Sequence, residues 1–220
     1  MKQYWSIPGP SKAPKQPCLA FYKYDGSNIR AEWSRKQGWY KFGSRNVLLD
    51  ESHDFLGEAP QVFLDTYGDA LPEVFKKEKA FRGVDSFVVF CEFFGPNSFA
   101  GIHDTSDKKE IVLIDVNANR KGIVLPRDFV NIFGHLKIPP VVYEGNFNSS
   151  FIEAVKRGEY GLAQSEGVVV KGVLASTKNP QHGLWMSKVK TQWWMNELRR
   201  RAETNAEMKR VLTDNEREQA

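Results

Sequence analysis

Short apolar runs separated by Gly, Pro and charged residues dominate this chain, a pattern of many strands with helices scattered among them. Residues 19–22 are apolar and strand-like. Residues 28–33 and 39–43 predict a hairpin around Lys36-Gln37-Gly38. Residues 87–94 and 111–116 are denser apolar runs, and residues 167–173 and 184–190 read as further strands. Residues 59–81 read as helical. Pro60 suits a first helical position, Val62, Phe63, Leu64, Tyr67, Leu71, Val74 and Phe75 suggest an apolar stripe, and Pro72 is expected to break the stretch in two. Residues 126–133 and 151–157 read as short helices. Residues 8–17, with four prolines, read as an extended, strandless lead-in, and residues 192–218, without Gly or Pro, as one helix. The mixture predicts an α+β fold with largely antiparallel sheets.

At 220 residues, with 41% hydrophobic and 13% aromatic residues, the chain is expected to hold one sizeable domain with a real core, with or without a small appendage. No run approaches the ~18 apolar residues of a membrane span, and the N-terminus has no apolar signal-peptide core. Cys18 and Cys91 are too few for a disulfide framework, which suits a reducing cytoplasm. A net charge of +4 permits a nucleic-acid partner without requiring one.

The candidate chemistry starts at Lys23-Tyr24-Asp25-Gly26-Ser27-Asn28. A lysine ends a strand, beside a turn, with a carboxylate two residues on. By itself Asp-Gly between two β-prone runs is also a common hairpin signal. Charges embedded in the apolar runs change the picture, because buried strand faces rarely carry charge unless it is paired or used. Glu92 lies among Phe90, Phe93 and Phe94; Asp115 follows Ile114; Glu166 opens Glu166-Gly167-Val168-Val169-Val170-Lys171; Lys188 and Lys190 flank Val189. Lys188 and Lys190 are expected to share a strand face, whereas strict alternation would set Glu166 and Lys171 on opposite faces. Lysines with a divalent metal can hold a triphosphate, and carboxylates can hold the metal and a ribose. A free lysine, pKa about 10.4, is neutral only about once in 2,500 at pH 7, a cost of about 4–5 kcal/mol for the reactive amine. Neighbouring ammonium groups and a metal would reduce that cost.

In order along the chain, Lys23-Tyr24-Asp25-Gly26, Ser44-Arg45-Asn46, Phe90-Cys91-Glu92-Phe93-Phe94-Gly95, Leu113-Ile114-Asp115-Val116, Ser165-Glu166-Gly167-Val168-Val169-Val170-Lys171 and Ser187-Lys188-Val189-Lys190 resemble the motifs of the covalent nucleotidyltransferase superfamily of polynucleotide ligases and mRNA capping enzymes. Within it the chain most resembles phage-type ATP-dependent RNA ligases: Asn28, five residues after the lysine, matches an asparagine they use, and residues 191–220 leave no room for the OB-fold domain of DNA ligases and capping enzymes. The resemblance implies a nucleotidyltransferase fold, the ATP-grasp-like adenylation fold of ligases, with antiparallel sheets flanked by helices. Residues 1–190 would form the adenylyltransferase domain and 191–220 a helical tail. It implies catalysis by Lys23, Glu166, Lys188 and Lys190. It further implies ATP binding by Lys23, Asn28, Arg45, Glu92, Ile114, Lys171, Lys188 and Lys190, and a metal (Mg2+ or Mn2+) on Glu166 and Asp115. Ile114 stands where many relatives carry an aromatic on the adenine, and Tyr22 where some carry an acidic residue that reads it. The expected partners are RNA ends, or duplexes containing DNA, handled by a monomer with no membrane. A minimal DNA ligase and a non-catalytic nucleic-acid-binding relative are the alternatives, and the intact lysine motif argues against the second.

Other features suggest less. His53, His103, His135 and His182 show no ligand spacing, and residues 97–104 read as a loop. Trp193 and Trp194 are expected to pack the tail onto the domain. Arg199-Arg200-Arg201 reads as a solvated helix face that could also contact phosphates.

Overall fold

A computed structural model describes residues 3–50, 53, 55–176, 178 and 180–219. Its strands, in chain order, are β1 (Pro17–Lys23), β2 (Ser27–Ser34), β3 (Gly38–Ser44), β4 (Ser86–Phe94), β5 (Glu110–Ala118), β6 (Gly122–Ile123), β7 (Val141–Asn146), β8 (Gly167–Val173) and β9 (Leu184–Lys190). The helices are α1 (Ala59–Tyr67), α2 (Ala70–Lys77), α3 (Pro126–Phe133), α4 (Ser149–Lys156), α5 (Gln192–Ala202) and α6 (Ala206–Gln219). The expected α+β fold with antiparallel sheets is what the chain adopts. It divides into two compact units, Met1–Trp5 with Gly26–Ile138 and Ser6–Asp25 with Pro139–Ala220.

The first unit carries a five-stranded antiparallel sheet in the order β3-β2-β4-β5-β6. Alternation sorts its residues by face. Ile29, Ala31 and Trp33 of β2, with Phe87, Val89, Cys91 and Phe93 of β4, form the apolar side. That side is filled by Phe63, Tyr67, Leu71 and Phe75 of α1 and α2, with the Phe75 and Phe87 rings stacked 3.9 Å apart. Burying each such ring contributes about 1.5–3 kcal/mol. The Tyr67 hydroxyl accepts from the Leu113 N–H at 2.9 Å and donates to the Lys137 carbonyl at 2.5 Å.

The second unit carries a four-stranded antiparallel sheet in the order β7-β1-β8-β9. One face supplies Cys18, Ala20, Val168, Val170 and Val189 to a core closed by Phe147, Phe151, Val155 and Leu162 around α4. Asn148 caps that helix by accepting from the Phe151 N–H at 2.9 Å.

Four local expectations change. The 59–81 segment does split into two helices, but at Gly68 and Asp69; Pro72 lies in the first turn of α2, where its missing N–H would have had no intrahelical partner. The 192–218 helix is two, because Asn205 accepts from the Glu207 and Met208 N–H groups at 3.0 and 3.1 Å and starts α6 anew. The lead-in is anchored to its unit: the Pro8 carbonyl accepts from the Lys188 N–H at 2.9 Å, and a 3-10 turn covers Pro10–Lys12. β7, whose exposed half-polar pattern carries little strand signal, was not anticipated.

Candidate active site

β1 and β2 belong to different sheets, so Asp25-Gly26 is not the turn of a hairpin. Gly26 is needed for a close approach instead: a Cβ there would stand 2.2 Å from the Phe93 carbonyl oxygen. Lys23 therefore ends a strand whose neighbours are β7 and β8, and this pairing determines what surrounds it.

In the second unit Lys23 of β1 and Lys190 of β9 both stand level with Gly167 of β8, one on each side. The next rows on that face are Phe21, Val169 and Lys188, then Leu19, Lys171 and Met186. Lys23, Lys171, Lys188 and Lys190 thus share one face, opposite the apolar core, as the spacing of Lys188 and Lys190 predicts. Glu166 escapes the alternation because it precedes the strand and Gly167 has φ +141°. Its carboxylate reaches between the two lysines, with Oε2 2.8 Å from Lys23 Nζ and Oε1 2.7 Å from Lys190 Nζ.

The electrostatics follow from burial. Burial opposes the charge of Glu166, but the ammonium groups of Lys190 and Lys23 outweigh it and hold its carboxyl below the usual range. Burial pushes the Lys190 ammonium down; Glu166 opposes that shift, while the charges of Lys23 and Lys188 add to it. Lys190 Nζ also lies 3.6 Å from the centroid of the Trp194 ring, and the Trp194 Nε1–H donates to Asp25 Oδ2 at 2.6 Å. Lys171 is buried with its Nζ 5.0 Å from the Phe21 ring centroid. Tyr22 has its phenol pushed up by burial, a shift that Ser165 opposes and Glu166 increases.

In the first unit the polar face of the sheet carries Asn28 level with Glu92, then Arg30 level with Phe90 and Asp115. Ile114 is the extra residue of a bulge between the Phe90–Asp115 and Cys91–Leu113 pairs, which re-aims it. Asp115, 1% exposed, accepts from the Tyr4 hydroxyl at 2.5 Å. Burial raises the Tyr4 phenol well above its ordinary value; the charges of Asp115 and Glu92 raise it further, and Arg45 lowers it. Tyr4 itself packs between Trp5 and Phe90. Asn28 donates to the Cys91 carbonyl at 3.3 Å, and its buried Oδ1 has no hydrogen-bond partner among the described residues. Arg45 lies exposed in the turn after β3.

Sequence reasoning passes over Tyr4, gives Trp194 only a packing role and finds no ligand spacing at His103. His103 is buried, its Nε2 2.8 Å from Ser27 Oγ and its Nδ1 3.0 Å from Ser98 Oγ, and burial followed by Lys109 pushes its imidazole down. It ties the loop holding the tight turn at Ala100 and Gly101 to the first residue of β2. None of the three lies in a motif, so only their contacts reveal them. The two tryptophans separate: Trp194 is buried, and Trp193 is 42% exposed. The triple-arginine run is tied up within the helix pair, Arg199 with Glu216, and Arg200 and Arg201 with Glu197, whose carboxyl their hydrogen bonds depress to about 2.

Among the described residues, no three His, Cys, Asp or Glu side chains gather to hold a metal ion, and no helix is long and apolar enough to cross a membrane. Magnesium commonly needs only one or two carboxylates when substrate phosphates complete its shell. The acid side chains present fit an ion that arrives with a triphosphate.

The family model for RNA ligase matches residues 17–190. Comparison with curated proteins gives no match. A Naegleria gruberi RNA ligase variant solved with AMP and manganese is similar in structure, with a TM-score of 0.63 and 13% identity over 90% of this chain and 58% of that one. Another variant of the same ligase, solved with ATP and manganese, gives 0.58 and 16% over 83% and 51%. The chain therefore spans somewhat over half the length of these ligases.

Proposed function

Because the chain belongs to the RNA ligase family, we propose that it joins RNA 5′-phosphate and 3′-hydroxyl ends using ATP, with Lys23 as the nucleophile. The observation that carries this reading is the pairing of Lys23 and Lys190 across Gly167, with the Glu166 carboxylate between them. A structural ion pair needs one lysine; two on one carboxylate, on a face lined by Lys171 and Lys188, suit a polyphosphate.

In the first step the Lys23 amine, having lost its proton, attacks the α-phosphorus of ATP. An N–P bond forms, the bond to the β-phosphate oxygen breaks, and pyrophosphate leaves. In the second, an oxygen of the RNA 5′-phosphate displaces the lysine nitrogen, which regains a proton. In the third, the 3′-hydroxyl loses its proton to the medium and attacks the 5′-phosphate, releasing AMP. Lys171, Lys188 and Lys190 hold phosphates, and their fixed charges stabilise the negative charge of the transition state. Glu92 holds the ribose, Arg45 a phosphate and Ile114 the adenine. The bare buried Oδ1 of Asn28 is an acceptor that a nucleotide donor would satisfy, which fits a ligand at that end of β2. Glu166 and Asp115 are the carboxylates we assign to magnesium or manganese, which would supply positive charge at the reacting phosphate. Residues 1–190 act as the adenylyltransferase domain and 191–220 as the helical tail of a monomer working in the cytoplasm.

Incubation with ATP labelled at the α-phosphate and magnesium tests the reading. Label should appear on Lys23 and be lost in Lys23→Ala, and the adduct should then join RNA ends. Labelling that persists in the variant rejects the nucleophile. An all-DNA nick sealed as well as an RNA one would favour a DNA ligase.

A further inference from the structure

We propose that Trp194, at the start of α5, is a positioning residue for lysyl-AMP formation, acting through Lys190 and Asp25; the proposal rests on Lys23 being the nucleophile. One indole reaches both partners. Its ring receives the Lys190 ammonium 3.6 Å from the centroid, and its Nε1–H donates to Asp25 Oδ2 at 2.6 Å. Asp25 lies two residues after Lys23, and Lys190 shares Glu166 with Lys23.

The start of the helix that carries the ring is itself fixed by hydrogen bonds. The Trp194 backbone N–H donates to the Thr191 hydroxyl at 3.2 Å, the helix cap. That hydroxyl donates to the Ser165 carbonyl at 2.6 Å, and the Thr191 N–H donates to the Glu166 carbonyl at 3.0 Å. The first turn of α5 is thus bonded to the backbone of the residue that pairs with Lys23. Packing a helix onto a sheet asks only for an apolar side chain, and Met195 and Leu198 supply that on the same helix. An indole N–H aimed at a carboxylate, with its ring face under a buried ammonium, does more. It fixes the carboxylate that follows the nucleophile and seats the Lys190 ammonium against the ring face. The helical tail after residue 190 thus contributes a side chain to the surroundings of the nucleophile.

The test is a double-mutant cycle on the rate of lysyl-AMP formation at saturating ATP. Trp194→Phe keeps a ring for Lys190 and removes the N–H; Asp25→Ala removes the acceptor. Each should slow adduct formation at least tenfold, and the double variant should be within twofold of the slower single. Leu198→Ala opens a cavity in the same helix and reports general destabilisation; at an equal loss of melting temperature it should slow the reaction far less than Trp194→Phe. A Trp194→Phe chain that reacts at the wild-type rate, a double variant slowed by the full product of the two, or equal slowing by Leu198→Ala overturns the proposal. A wild-type chain whose adduct forms elsewhere than Lys23 overturns the nucleophile assignment and this proposal together, whereas a Lys23 adduct with an indifferent Trp194 overturns this one alone.

Discussion

Lys190 and Glu166 form a buried ion pair, Nζ to Oε1 2.7 Å, with both side chains 5% exposed. Lys23, 20% exposed, takes the other oxygen from a wetter position. The asymmetry matters for stability. Breaking a buried pair leaves a charge with neither water nor partner and costs about 3–5 kcal/mol, whereas replacing both members with apolar side chains is often neutral. Glu166→Ala should therefore lower the melting temperature as well as abolish adenylylation. Glu166→Leu combined with Lys190→Met should recover most of the stability and none of the activity. Thermal melts of the single and double variants check this; a double variant as unstable as Glu166→Ala would rule out the ion-pair account.

The same pair sets an acid limit. The folded-state pKa of Glu166 is lowered, so below its unfolded value of about 4.3 the unfolded chain binds more protons than the folded one. The stability it contributes is complete above that value and is lost as pH falls through the folded pKa. The melting temperature of the wild type should drop more steeply below about pH 4 than that of Glu166→Gln. Parallel curves would show that the carboxylate is not depressed.

Tyr4 gives the first unit a comparable test. Its hydroxyl is bonded to a carboxylate that is 1% exposed, and removing a donor from a buried charged acceptor costs about 1–3 kcal/mol or more. Tyr4→Phe should lower the melting temperature by several degrees, on the order of 2–4 °C per kcal/mol for a chain of this size. Its phenol, raised by burial and by Asp115, should be missing from the group of tyrosines that ionise near pH 10 in an ultraviolet titration.

Gly167 can be tested against Gly38. Both have positive φ, +141° and +70°, so alanine is strained at either. Around Gly38 nothing lies within 4 Å of a new Cβ, whereas at Gly167 it would meet the Val189 carbonyl oxygen at 2.0 Å. Gly38→Ala should cost about 1–2 kcal/mol from backbone strain alone. Gly167→Ala should cost clearly more in a denaturant titration, and adenylylation should fall because Glu166 is displaced from the two lysines.

The residue pattern encodes local features. Alternation along 184–190 placed Lys188 and Lys190 on one face, and the apolar runs marked β4, β5, β8 and β9. These readings hold because side-chain direction in a strand depends only on backbone period. The tertiary structure decided which strand lies beside which. Pairing of β1 with β8, rather than with its neighbour in sequence β2, removed the hairpin reading of Asp25-Gly26 and set Lys23 level with Lys190. A single positive φ at Gly167 turned Glu166 out of the alternation that seemed to misplace it. Tyr4 and Trp194 reach Asp115 and Asp25 from 111 and 169 residues away. Contacts over such separations come from packing a whole core, and no periodicity within a window of the chain encodes them.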